Sequence, residues 1–197
     1  MVILQGDNGS GKTTLLHLIA GMIPHFIRGS QLEGDILLWG RSIAKISPRH
    51  FFPRIGFIPG TEIDLFLLNR TLAEESMLIQ AILKCDCSVL ENRKDELAEQ
   101  FPEITRLWDQ QFNQMTLYQK RQALLWIYFL QGARFFLIDE IFDSFSPEQC
   151  RQWMQFLDSR IAGGCGAIFV SHRPGFPKCT AWELRENALQ VEDSKSG

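Results

Sequence analysis

No uninterrupted apolar stretch reaches the roughly 18 residues that a membrane-spanning helix requires, so the chain does not cross a bilayer by itself. Neither sign of charge dominates. Twenty Lys and Arg stand against 23 Asp and Glu, and the net charge is −3. The basic residues are scattered, which removes the electrostatic case for nucleic acid as a partner. The one dense basic pair, Lys120-Arg121, is read as having a local role. Cysteine is sparse: Cys85, Cys87, Cys150, Cys165 and Cys179, with no CxxC pair. Cys85-Asp86-Cys87 has the look of half a metal site, but no second pair or nearby histidine accompanies it. Reduced, mostly buried thiols in a cytosolic setting are the reading. Internal repeats and low-complexity tracts are lacking, and no cleavable leader is expected, because the first residues already belong to a structural unit.

What is present suffices for a substantial core. The 197 residues are 45% hydrophobic, enough for one α/β core with or without a subdomain. Almost at the start stands Gly6-Asp7-Asn8-Gly9-Ser10-Gly11-Lys12-Thr13-Thr14, which fits G-x-x-x-x-G-K-[ST]. Val2-Ile3-Leu4 reads as a buried strand before it, and residues 15–20 as a helix after it. That context is what the chemistry needs. Glycines let successive backbone N–H groups face phosphate oxygens, and the helix N-terminus adds positive potential. Lys12 can reach the outer phosphates, and the Thr13 hydroxyl can ligate magnesium. The predicted nucleotide-binding set is Gly6, Asn8, Gly9, Ser10, Gly11, Lys12, Thr13 and Thr14, with ATP and Mg2+ as ligands.

Farther along, residues 31–40 read as a strand ending in a glycine turn, and residues 54–58 as a second strand closed by Pro59-Gly60. Residues 71–130 carry helical patterns broken near residues 85–88 and at Phe101-Pro102, and are predicted to be an inserted helical subdomain. Phe135-Phe136-Leu137-Ile138 suits a buried parallel strand. Residues 147–161 read as a helix with Ser146 as N-cap and Pro147 at its first position. Residues 167–170 suit another core strand, 181–192 a hairpin around Glu186-Asn187, and 193–197 a disordered tail.

The strand at 135–138 runs directly into Asp139-Glu140. Ligands of open α/β sheets bind at the C-terminal strand ends, where Asp139 can hold magnesium and Glu140 can polarise a water. An apolar run followed by two acids is also, by itself, a strand that ends in solvent; the glycine-rich loop is what favours the catalytic reading. The next strand ends at Ser171-His172, and the order along the chain favours a γ-phosphate contact for His172 over a structural role.

The order of glycine-rich loop, helical insert, acidic strand and strand-Ser-His resembles the nucleotide-binding subunit of ATP-binding cassette (ABC) transporters over nearly the whole chain. Residues 21–29, followed by 32–36, look like energy-coupling-factor ATPases for vitamins and cobalt or nickel. The resemblance implies a P-loop NTPase of the α/β class: a mainly parallel sheet flanked by helices, with 71–130 inserted in a single domain of 197 residues. It implies Glu140 and His172 as catalytic residues. It further implies a second ABC subunit and a transmembrane subunit as partners, at the inner face of the cell membrane.

The departures from the pattern are informative. Where the family has Leu-Ser-Gly-Gly-Gln, this chain has Met115-Thr116-Leu117-Tyr118-Gln119. Thr116 and Gln119 are signature-like, but Leu117 and Tyr118 replace glycines that let backbone approach the partner's γ-phosphate. Where the family has a glutamine after the second strand, Ile58-Pro59-Gly60 leaves none. Ile141 replaces a proline and Ser146 an aspartate. The adenine-stacking aromatic and its antiparallel strands would precede residue 1, so either upstream coding sequence exists or the chain is a decayed paralogue.

Three functions follow as expectations: an ATPase subunit powering an importer, a weakly hydrolysing regulatory partner of an intact subunit, or a soluble ABC protein of translation or DNA repair. The short single cassette argues against the third. Residues 63–68 are apolar for a loop and either receive a membrane subunit or pack within the helical subdomain.

Overall fold

The computed structural model describes residues 1–25, 33–46, 52–60, 69–83, 87–173, 176, 179–185 and 188–191. The strands are β1 (Val2–Gln5), β2 (Leu37–Leu38), β3 (Arg41–Ser42), β4 (Ile55–Ile58), β5 (Phe135–Asp139), β6 (Gly166–Val170), β7 (Thr180–Arg185) and β8 (Ala188–Val191). The helices are α1 (Lys12–Ile19), α2 (Met22–His25), α3 (Leu72–Leu83), α4 (Cys87–Gln100), α5 (Ile104–Leu107), α6 (Leu117–Gln131) and α7 (Pro147–Ala162).

Six strands form one sheet in the order β4-β5-β6-β1-β7-β8. The first five of these run parallel, and β8 pairs antiparallel with β7. Leu4 stands opposite both Val170 and Trp182, and Asp139 opposite Val170. The strand ends that carry the glycine-rich loop, the acidic pair and the histidine therefore lie side by side.

Period-2 alternation divides the core between the two faces of the sheet. Leu4, Leu137, Ile168 and Val170 pack with Leu16 and Ile19 of α1. Ile3, Phe136, Ile138 and Phe169 face α6 and α7 on the other side. Helix α6 is buried through Ala123-Leu124-Leu125-Trp126-Ile127, all round its axis, because it lies between β4 and the helices α3 and α4. Glycine ends it: Gly132 takes the left-handed C-cap at φ +87°, and Arg93 of α4 donates to the Leu130 carbonyl.

The strand predicted over 31–40 is much shorter. Among its described residues only Leu37–Leu38 is a strand, and it pairs with β3 in a separate two-stranded hairpin. Backbone geometry is the cause. Gly34 turns the chain at φ +96°, while Trp39 and Gly40, at φ +50° and +72°, make a two-residue turn of the type I′ sense. Residues 31–32, 61–68 and 193–197, the Glu186-Asn187 turn and Cys85 lie outside the described residues. Arg54 falls in a 3-10 turn rather than in β4. Between β4 and β5 the described residues carry α3 to α6 and a 3-10 turn at Phe112–Gln114. No described helix is long and apolar enough to cross a membrane.

Candidate nucleotide-binding site

Between β1 and α1 the loop winds through left-handed backbone, with Gly9 at φ +81° and Gly11, the N-cap of α1, at φ +96°. Gly6 is required by close approach: a Cβ there would lie 2.4 Å from the Leu184 carbonyl oxygen of β7. Lys12 is 5% exposed, and its Nζ donates to the carbonyls of Gly6 and Asp7 at 2.9 Å each. Asn8, Gly9, Gly11, Lys12, Thr13, Thr14 and Glu140 line one cavity of about 390 Å³. Gly6 and Ser10 do not line it; a Cβ on Gly6 would also lie 2.9 Å from Ser10 Oγ. A larger concavity of about 950 Å³ lies at the β2–β3 hairpin, but it lacks the loop amides and the acids.

The cavity joins two distant parts of the chain. Thr13 Oγ1 donates to Asp139 Oδ2 at 2.8 Å, tying the start of α1 to the end of β5. Asp139 Oδ1 is buried and has no hydrogen-bond partner among the described residues. Burial pushes the Asp139 carboxyl above its ordinary range, and the Thr13 hydroxyl opposes that shift in part. Glu140 follows at φ +52°, a left-handed conformation uncommon for a side-chain-bearing residue. Its amide donates to the Val170 carbonyl at 3.1 Å. His172 Nε2 lies 3.4 Å from Glu140 Oε1, with both side chains nearly half exposed.

Two functional residues escaped sequence reasoning. Asp143 accepts from the Ser171 hydroxyl at 2.7 Å and from the His172 amide at 3.2 Å, so it holds the loop that presents the imidazole. Arg121 reaches from α6 to the loops after β4 and β5. For Asp143 the only signal was a charge among mostly apolar neighbours, and for Arg121 the basic pair Lys120-Arg121; neither names a partner.

Thr116 and Gln119 do not line the cavity. They cap α6 reciprocally: the Thr116 amide donates to Gln119 Oε1 at 2.9 Å, and the Gln119 amide to Thr116 Oγ1 at 3.3 Å. The two glycine replacements also part company. Leu117 is 43% exposed, whereas Tyr118 turns inward, edge-on to Phe145 at 4.9 Å. Any obstruction by side chains at the signature thus comes from Leu117. Cys150 and Cys165 form no disulfide and are half-buried, where buried thiols were expected.

A glycine-rich loop closed by a buried lysine, facing an acidic strand end, defines a P-loop nucleotide-binding protein. The chain belongs to the ABC transporter family, whose profile matches residues 1–143. It is 26% identical over 174 residues to the cytochrome c biogenesis ATP-binding export protein CcmA of Xanthomonas campestris pv. campestris (strain 8004), a match covering 87% of this chain and 73% of that protein. Solved structures share the fold. An ATP-binding subunit of an ABC transporter superposes with a TM-score of 0.81 at 23% identity, covering 98% of this chain and 79% of that one. CbiO1 from Clostridium perfringens, part of the ABC transporter complex CbiONQ, gives 0.74 at 18% identity, covering 96% and 74%.

Proposed function

We propose that this chain binds and hydrolyses ATP to power an importer of the energy-coupling-factor type, acting with a second ABC subunit and a transmembrane subunit at the inner face of the membrane. The Thr13–Asp139 contact carries the reading, because it brings the helix start and the acidic strand end to one cavity that Glu140 also lines. Magnesium fits there: Asp139 Oδ1 is a buried, unpartnered oxygen beside a threonine hydroxyl. Thr13 and Asp139 would hold the ion, which when bound neutralises phosphate charge.

Lys12 and the loop amides bind the phosphates and hold them in one orientation. Glu140 accepts hydrogen bonds from a water at its carboxylate, and His172 orients that carboxylate and contacts the outer phosphate. Residues 71–130 act as the signature-bearing subdomain that meets the partner's nucleotide. The importer assignment is supported by residues 21–29 and 32–36, whereas CcmA is named for export.

A second reading, a regulatory subunit with little turnover of its own, is favoured by Gly60 and by exposed Leu117 at the signature. Paired with an intact ABC subunit, wild type and Glu140→Gln separate the two. Loss of most of the pair's ATPase is the expected result. A larger loss from the equivalent change in the partner would make this chain the regulatory half.

A further inference from the structure

Glu140 sits in a backbone conformation that neighbouring structure must enforce. The contacts on either side of it converge on one side chain. Upstream, Gly60 packs so tightly on the strand end that a Cβ would lie 2.6 Å from the Asp139 carbonyl oxygen and 3.3 Å from Glu140 Cβ. Downstream, the 3-10 turn Ile141–Ser144 is closed by the Ser144 hydroxyl donating to the Ile141 carbonyl at 2.9 Å. Arg121, only 3% exposed, grips both flanks: Nη1 donates to Ser144 Oγ at 2.7 Å and Nη2 to the Gly60 carbonyl. Its guanidinium lies 6.0 Å from the Phe145 ring centre. Helix α6, which supplies it, begins at the signature-like stretch, so Arg121 lies four residues after Leu117.

The glutamine of the family pattern would stand at Gly60, where the Asp139 carbonyl leaves no room for a side chain. A guanidinium approaching from α6 fills the gap in contact. Its planar fork donates in two directions at once, which suits two acceptors on opposite flanks of a turn.

We propose that Arg121 is a positioning residue of the hydrolytic site, holding the Glu140 turn in its left-handed conformation and tying it to the signature-bearing helix. The proposal rests on the ATPase reading for its consequence, but its structural core can be tested without nucleotide. Arg121→Lys keeps the charge yet cannot span both acceptors, and Ser144→Ala removes one acceptor from an exposed position.

Amide exchange of the full chain is the deciding measurement, with thermal melts reporting the fold. In Arg121→Lys, exchange at residues 140–144 is expected to rise roughly 10-fold as the strained turn is released, while β6 and α7 keep their protection. Ser144→Ala should show a smaller rise in the same segment, and it carries the test if the lysine variant fails to fold. For turnover, kcat of Arg121→Lys should fall on the order of 10²-fold through misplacement of Glu140. MgATP affinity by calorimetry should stay within about 3-fold, since the lost interaction concerns the reacting geometry and not ground-state binding. Unchanged exchange at 140–144 in the folded variants would overturn the proposal, and so would acceleration spread evenly over the chain. If the unaltered chain binds no MgATP, the ATPase reading fails separately, and the exchange pattern still decides what Arg121 does.

Discussion

Lys12 illustrates how a single charge is prepared for a ligand. It is almost wholly buried, and two carbonyls of its own loop fix its ammonium at the cavity that Thr13 and Glu140 share. Lys12→Ala is expected to abolish MgATP binding, because each charge-assisted phosphate contact contributes about 1.5–3 kcal/mol and several fail together. Equal affinities of wild type and variant by calorimetry would contradict this. The two tyrosines offer an independent check on burial. Burial pushes Tyr118 up to about 12, helped by the nearby Glu103 carboxylate, and burial also raises Tyr128. A raised folded-state value favours the neutral phenol in the native state. The stability this gives is fully present below the ordinary value of 10 and is lost as pH rises through about 12. Ultraviolet titration should therefore show less tyrosinate at pH 10 than free tyrosine gives, with Tyr118 ionising only as pH approaches about 12. Ordinary titration with native structure intact would refute the partly buried setting of both rings.

One helix start was legible in full: Ser146-Pro147-Glu148-Gln149 has the spacing of a capping box and forms one. Thr116 and Gln119, read from the sequence only as signature-like, form another, and α1 starts at Lys12, three residues before the helix read at 15–20. Capping is local chemistry, settled within four residues, and so is visible in the chain. Ser146→Ala should lower stability by about 1 kcal/mol in urea unfolding with an unchanged slope. ATP affinity should not move, since Ser146 is not among the residues that line the cavity. A loss of affinity at unchanged stability would show that this cap has another task. The stretch 31–40 failed as a strand prediction for the converse reason. Its apolar residues suit a strand, but positive φ at Gly34, Trp39 and Gly40 folds it into a hairpin apart from the main sheet.

At the scale of the whole molecule, aromatic packing joins the helices between β4 and β5 to the sheet. Phe156 of α7 meets Phe101 at 5.5 Å, Phe129 at 5.6 Å and Phe136 at 6.4 Å, residues that lie just after α4, in α6 and in β5. Phe156→Ala should cost about 3–5 kcal/mol, with insert and sheet melting in one transition. Two transitions in the variant would mean that the insert folds on its own core. The proposed function depends on pairing. With an intact partner, the site built from this chain's Lys12, Asp139 and Glu140 should turn over ATP faster than the opposite one, where exposed Leu117 would crowd the partner's nucleotide. Single-turnover assays of pairs blocked at one site should reveal that asymmetry.

The sequence by itself determined the chemistry of each loop and the type of most elements. The glycine-rich loop, the apolar strand before Asp139-Glu140 and the strand before Ser171-His172 are local patterns of periodicity and turn residues. Only the tertiary structure decided which of these meet. The sheet order sets β5, β6 and β1 edge to edge, and that brings Thr13 to Asp139 and His172 to Glu140 across long stretches of chain. Arg121 and Asp143 belong to the same class: a charge in the sequence names no partner, because pairing depends on distances that only packing creates.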